Sequence, residues 1–97
     1  MVILMSKSKM EEFKEWDIQN HPEAKEAYAQ AEFDLRASVL VKQMREDLGM
    51  TQVEFAKLVN KPQSTISRIE SDSMNVSIGL LNDIATKANR KLKLVLV

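Results

Sequence analysis

The stretch NKPQSTISRIES, Asn60 to Ser71, carries five side chains whose chemistry is hydrogen bonding: Gln63, Ser64, Thr65, Ser67 and Arg68. Its only large apolar residues, Ile66 and Ile69, stand three apart, as one face of a short helix requires. Burying that pair forces the other five outward over the helix's N-terminal half, the part of a recognition helix that enters the major groove of DNA. Glutamine can make paired hydrogen bonds to adenine, serine and threonine reach a base edge or a phosphate, and arginine reads guanine or holds a phosphate. Catalysis finds poorer material. His21 is the only histidine and adjoins Pro22, while Glu11-Glu12 and Glu23-Glu26 read as helix surface. The chain has no glycine-rich phosphate loop, no nucleophile elbow and no cysteine, so we expect no enzyme, no metal and no cofactor.

Such a helix must be held by a second one. Thr51 with Glu54 three residues later forms a capping-box pattern, which opens a short helix, TQVEFAKLV. Asn60 ends it, being a residue that tolerates left-handed backbone, and Pro62 marks the next helix start. Phe55, Ala56 and Val59 should face Ile66 and Ile69, with Ala56 small enough for two steeply crossed helices to touch. The expected unit is a helix-turn-helix. The free N–H groups at the start of the first helix, with Gln52 beside them, suit a backbone phosphate, and Lys61 in the turn joins the DNA-facing set.

Elsewhere the pattern is helical. Residues 8 to 19 form a short helix with Ser8 as cap and Met10, Phe13 and Trp16 at helical spacing. Asn20-His21-Pro22 breaks and restarts the chain, with Asn20 or His21 capping. From Pro22 the signal runs to about Leu48 through Ala24, Ala27, Tyr28, Ala31, Leu35 and Val39, then Leu40, Val41, Met44 and Leu48, as one helix or two bent near Asp34. Gly49 ends it. SDSMNVS is loop, and Ser77 opens a last helix with Ile78, Leu81, Ile84, Ala85 and Ala88 on one face. The tail RKLKLVLV alternates as a strand does, and its backbone groups must pair with MVILM, a partner or a twofold mate.

At 97 residues the chain fits one domain with a modest core. The apolar start MVILM is too short for a secretory segment and no window approaches a membrane span, so the expectation is a cytoplasmic protein that meets no membrane. The zero net charge is unevenly spread. Residues 1–35 hold four Lys against eight acids, a local net of −4; residues 36–97 hold ten Lys and Arg against six acids, a net of +4. That asymmetry hints at two partners of opposite sign.

The run from Leu40 to Leu92, carried by REDLGMTQVEFAKLVNKPQSTISRIES and the following LLNDIA, resembles the Cro/cI-like (XRE) helix-turn-helix family. The whole chain resembles the HigA-like antitoxins of type II toxin–antitoxin pairs. In these an extension such as PEAKEAYAQAEFDLRASVLVKQMRE precedes the domain and a strand such as RKLKLVLV can follow it. The resemblance implies an all-α fold: a Cro/cI-like helix-turn-helix bundle with an N-terminal helical extension and a C-terminal β-strand. It divides the chain into a toxin-binding extension (1–35), a DNA-binding domain (36–89) and a strand for pairing or dimerisation (90–97).

By the same resemblance, Gln52 and Gln63 are the two glutamines that work together on phosphate and base. Ser64, Thr65, Ser67 and Arg68 match groove-facing positions, and Arg45 and Glu70 match an interhelical salt bridge beneath the motif. Asn75 is the phosphate contact of the loop Met74 to Ser77. Asn60 stands where the family usually has a turn glycine, and Val76 where proline is frequent. Phe13, Trp16, Tyr28 and Phe33 are the candidate anchors for the toxin, since aromatic side chains are enriched at interface cores. The implied partners are a HigB-like basic ribonuclease toxin and double-stranded operator DNA bound by a homodimer. Two rivals stand beside this reading: an XRE-type transcriptional repressor without a toxin partner, and a helical adaptor that has lost DNA binding.

Overall fold

The computed structural model describes the backbone of residues 2–5 and 9–96; the cap assigned to Ser8 and the side chain of Met10 lie outside the described residues. The order is strand β1 (Val2–Met5), helix α1 (Lys9–Asn20), a 3-10 turn (Pro22–Ala24), helices α2 (Lys25–Asp47), α3 (Gln52–Leu58), α4 (Gln63–Glu70) and α5 (Ile78–Lys87), and strand β2 (Lys93–Leu96). The fold is helical, as the sequence implies. The tail strand finds its partner within the chain: β1 and β2 form a two-stranded parallel ribbon in register Val2↔Lys93 to Met5↔Leu96.

Local chemistry sets most boundaries. His21 occupies the cap position before Pro22 but makes no side-chain cap bond; its N–H donates to the Asp17 carbonyl at 2.6 Å. α2 runs as one helix through Asp34 and across the division at residues 35 and 36, and Gly49 follows it with φ +65°. Thr51 Oγ1 accepts from the Glu54 N–H at 3.2 Å while Glu54 Oε1 accepts from the Thr51 N–H at 2.9 Å, so both halves of the capping box form. Asn60 takes φ +55° between α3 and α4, a conformation open to asparagine because its short polar side chain can bond locally. Ser77 Oγ caps α5 through the Leu80 N–H at 2.9 Å.

The core joins α2 (Ala37, Val41, Met44), α3 (Phe55, Ala56, then Val59), α4 (Ile66, Ile69), Val76 of the loop and α5 (Leu81, Ile84, Ala85, then Ala88). Two expected faces differ. Ile78, assigned to the buried stripe of α5, is 53% exposed, because as the first residue of that helix it projects past the packed layer, while Leu80 packs on the core. On α2 the stripe Ala27, Ala31, Leu35 and Val39 is exposed; the core takes the neighbouring stripe of Asp34, Ala37, Val41 and Met44. Periodicity identifies a helix without saying which of its faces is covered.

α1 lies antiparallel along the first half of α2. Lys14 Nζ meets Glu32 Oε2 at 2.8 Å, and the Tyr28 hydroxyl donates to Asp17, which holds the tyrosine above its usual pKa. Farther along α2, Asp34 is buried and reaches across to the loop before α5. Its Oδ1 accepts from the Val76 N–H at 2.7 Å and from Gln30 Nε2 at 2.6 Å, and Gln30 Nε2 also donates to the Val76 carbonyl at 3.0 Å.

Candidate nucleic-acid interface

With Ile66 and Ile69 fully buried, helical spacing turns Ser64 directly away from the core, with Ser67 and Gln63 along one flank and Arg68 and Thr65 along the other. Gln63, Ser64 and Arg68 are exposed; Thr65 and Ser67 are half-buried. Arg68 has no ion-pair partner among the described residues, so its guanidinium is available to an external acceptor. The α4 face is therefore five polar side chains on a helix whose back is fixed.

What fixes it is the pair beneath. Arg45 Nε and Nη2 donate to the two carboxylate oxygens of Glu70 at 2.8 and 2.9 Å, and Nη1 donates to the Met50 carbonyl at 3.0 Å. One guanidinium thus joins the end of α2, the turn before α3 and the end of α4. Hydrogen bonding to Glu70 raises the Arg45 pKa, opposed by burial, so the guanidinium keeps its charge. Gln52 leans on the same carboxylate, Nε2 to Glu70 Oε1 at 3.5 Å, which sets this glutamine at the edge of the α4 face.

Two predicted DNA-facing groups are less free than their types imply. At the start of α3 the capping box occupies the Glu54 N–H and places a carboxylate there, so a phosphate would meet the N–H groups of Gln52 and Val53 with Glu54 alongside. Lys61 turns toward α5, where its Nζ lies 2.8 Å from Asp83 Oδ2. Lys61, then Lys87, hold that carboxyl below its usual range. Such a surface pair is worth about 0–1 kcal/mol, which a phosphate can outcompete. Asn75 is exposed, next to the anchored Val76.

A helix-turn-helix family model matches residues 41–94, just over half of the chain, beginning in α2 and ending in β2. The chain belongs to the helix-turn-helix family. Within it the match is of the XRE type, a family of DNA-binding transcription regulators that is generally non-enzymatic. No curated protein and no solved structure matches the chain. Among the described residues of this helix-turn-helix protein, no helix is long and apolar enough to cross a membrane, and no cluster of metal-ligating side chains occurs.

The four aromatic residues assigned to a protein partner separate. Phe33 packs against the core and leaves the exposed set, because it stands one turn before Ala37 on the covered side of α2. Tyr28 is half-buried against Asp17. Phe13 and Trp16 are 64% and 56% exposed and stack on each other with ring centroids 5.9 Å apart. Along the helix axes they lie level with part of the exposed stripe of α2, since Lys14 and Asp17 meet Glu32 and Tyr28. Phe13 is one turn back from Asp17, and Ala31 one turn on from Tyr28, so in an antiparallel pair both lie to the same side of the Asp17–Tyr28 contact. Sequence reasoning missed the Gln30–Asp34–Val76 contacts; the available signal was an acid four residues after a glutamine on a stripe that otherwise packs.

Proposed function

We propose that this helix-turn-helix protein is a HigA-like antitoxin of the cytoplasm, which binds operator DNA as a homodimer, represses its own operon and neutralises a HigB-like basic ribonuclease toxin. The α4 face, with Gln63, Ser64, Thr65, Ser67 and Arg68 over the Arg45–Glu70 pair, supports the DNA-reading half. Gln52, Lys61 and Asn75 serve as flanking phosphate contacts, and base reading falls to α4.

The observation that carries the toxin-binding half is the stacked, exposed Phe13–Trp16 pair, to which Ala27, Ala31 and Leu35 add exposed apolar side chains on α2. Exposed acids of the same N-terminal region, Glu12, Glu15, Glu23 and Glu26, carry charge complementary to a basic partner. A dimer would give two α4 helices a palindromic operator. The parallel β1–β2 ribbon supports it too, since two strands alone are marginal in water and parallel sheets are ordinarily covered on both faces.

One observation favours the rival repressor without a toxin. Gln30 and Asp34 give the start of α2 a task inside the DNA-binding unit, so that part of the extension needs no partner to account for it. Phe13 and Trp16 have no such task. The deciding experiment is titration of the full chain with a purified HigB-like basic toxin. An interface aromatic of this kind is worth about 2 kcal/mol or more, so Phe13→Ala/Trp16→Ala should weaken toxin binding by at least roughly 30-fold and leave DNA binding intact. Undiminished toxin binding by the double variant would remove the toxin-binding face from the account.

A further inference from the structure

We propose that Gln30 and Asp34 are positioning residues for DNA binding: from the start of α2 they fix the loop between α4 and α5 and thereby aim Asn75 at the phosphate backbone. The proposal rests on the reading of Asn75 as a phosphate contact. Its basis is the way one residue of that loop is held. Both backbone groups of Val76 are engaged by side chains one helical turn apart on α2, the N–H by Asp34 Oδ1 at 2.7 Å and the carbonyl by Gln30 Nε2 at 3.0 Å. Gln30 and Asp34 are themselves joined at 2.6 Å, and the Val76 side chain is buried.

The contacts span 42 and 46 residues of sequence, so no local turn preference produces them. Asp34 is only 6% exposed and has no cationic partner among the described residues. A carboxylate so placed is tolerated because it accepts hydrogen bonds, here from a backbone N–H and an amide. Proline at position 76 could not donate the first of them. Because the Val76 N–H belongs to the peptide that begins at Asn75, anchoring it fixes the plane of that peptide and the position of the Asn75 Cα from which the side chain extends. The start of the loop is held separately, by the Ser71, Asp72 and Ser73 N–H groups on the last carbonyls of α4 and by Met74 on the core, whereas Asn75 is exposed and adjoins the anchored peptide.

The test uses the full chain and a duplex spanning the region upstream of its own reading frame. Binding of wild type, Gln30→Met, Asp34→Ala, Asp34→Asn and Asn75→Ala is followed against salt, at a temperature where circular dichroism shows each variant folded. We expect Gln30→Met and Asp34→Ala to weaken binding about tenfold with the salt slope nearly unchanged, since the contact they aim is uncharged, and Asn75→Ala to do the same. Asp34→Asn, which keeps the acceptor for Val76, should stay within about threefold of wild type. Asn75→Ala added to Gln30→Met should cost nothing further, and the Val76 amide should exchange faster with solvent in Gln30→Met. If Asp34→Ala does not fold, Gln30→Met carries the test. If Asn75→Ala weakens wild type but Gln30→Met does not, or the two losses simply add, the positioning role is overturned and the contact stands. If Asn75→Ala leaves wild type unchanged, the contact reading fails and takes the proposal with it.

Discussion

Arg45 and Glu70 should be unequal when each is removed. Arg45→Met leaves a carboxylate whose side chain is 6% exposed, with only Gln52 Nε2 at 3.5 Å as a remaining donor. Glu70→Leu leaves a guanidinium that is 17% exposed and still bonded to the Met50 carbonyl at 3.0 Å. Breaking a buried pair from one side costs about 3–5 kcal/mol, so Glu70→Leu belongs near the lower figure and Arg45→Met near the upper. For a domain of this size 3 kcal/mol lowers the melting temperature by roughly 12–24 °C. Replacing both at once removes the stranded charge, so Arg45→Met/Glu70→Leu should be more stable than Arg45→Met alone. Urea unfolding of the four proteins, with slopes checked for constancy, reads all three quantities. The reasoning is refuted if Arg45→Met costs less than about 1 kcal/mol, or if the double variant loses the sum of the single losses.

Two further outcomes follow from the α3–α4 unit. Ala56 is buried in the core on α3, so Ala56→Leu should cost about 1–3 kcal/mol by overpacking in the same urea assay. Glu54 titrates below its ordinary value, chiefly through the Thr51 N–H and then its hydroxyl. A depressed folded pKa means that its contribution is present above the unfolded value and is lost as pH falls through the folded one. Glu54→Gln should therefore flatten the acid side of the stability profile below about pH 4.3 and leave the alkaline side unchanged.

The parts of this fold that depend on neighbours in sequence were legible. Thr51 and Glu54 announce a capping box, Asn60 a left-handed turn, and Ile66 with Ile69 the buried side of α4, because each signal spans one helical turn or less. The contacts that cross the chain were not. Nothing in RKLKLVLV distinguishes MVILM from a second molecule as its partner, since backbone groups carry no address. Asp34 looks like one more surface acid until Val76 arrives from 42 residues away. The stripe from Ala27 to Val39 reads as core by spacing, yet α3, α4 and α5 cover the adjacent stripe. The candidate site divides the same way: the side chains of α4 could be named from sequence, whereas the engagement of Lys61 by Asp83 and of Gln52 by Glu70 required the fold.

The continuity of α2 also changes how the two proposed activities should be separated. Deleting residues 1–33 removes Gln30 along with α1, so loss of DNA binding by such a truncation would not speak against two divided roles. Substitutions at Phe13 and Trp16 leave the Val76 contacts whole.

The central claim is that the outer face of α4 reads base sequence, and the most direct measurement compares Gln63→Ala and Arg68→Ala with wild type on two duplexes, the upstream region and a scrambled version of it, across a salt series. Each lost base contact should cost about 1–3 kcal/mol on the upstream duplex and much less on the scrambled one, so that specificity falls with affinity. Equal binding of both duplexes by wild type, or full upstream affinity in both variants at low salt, would contradict it.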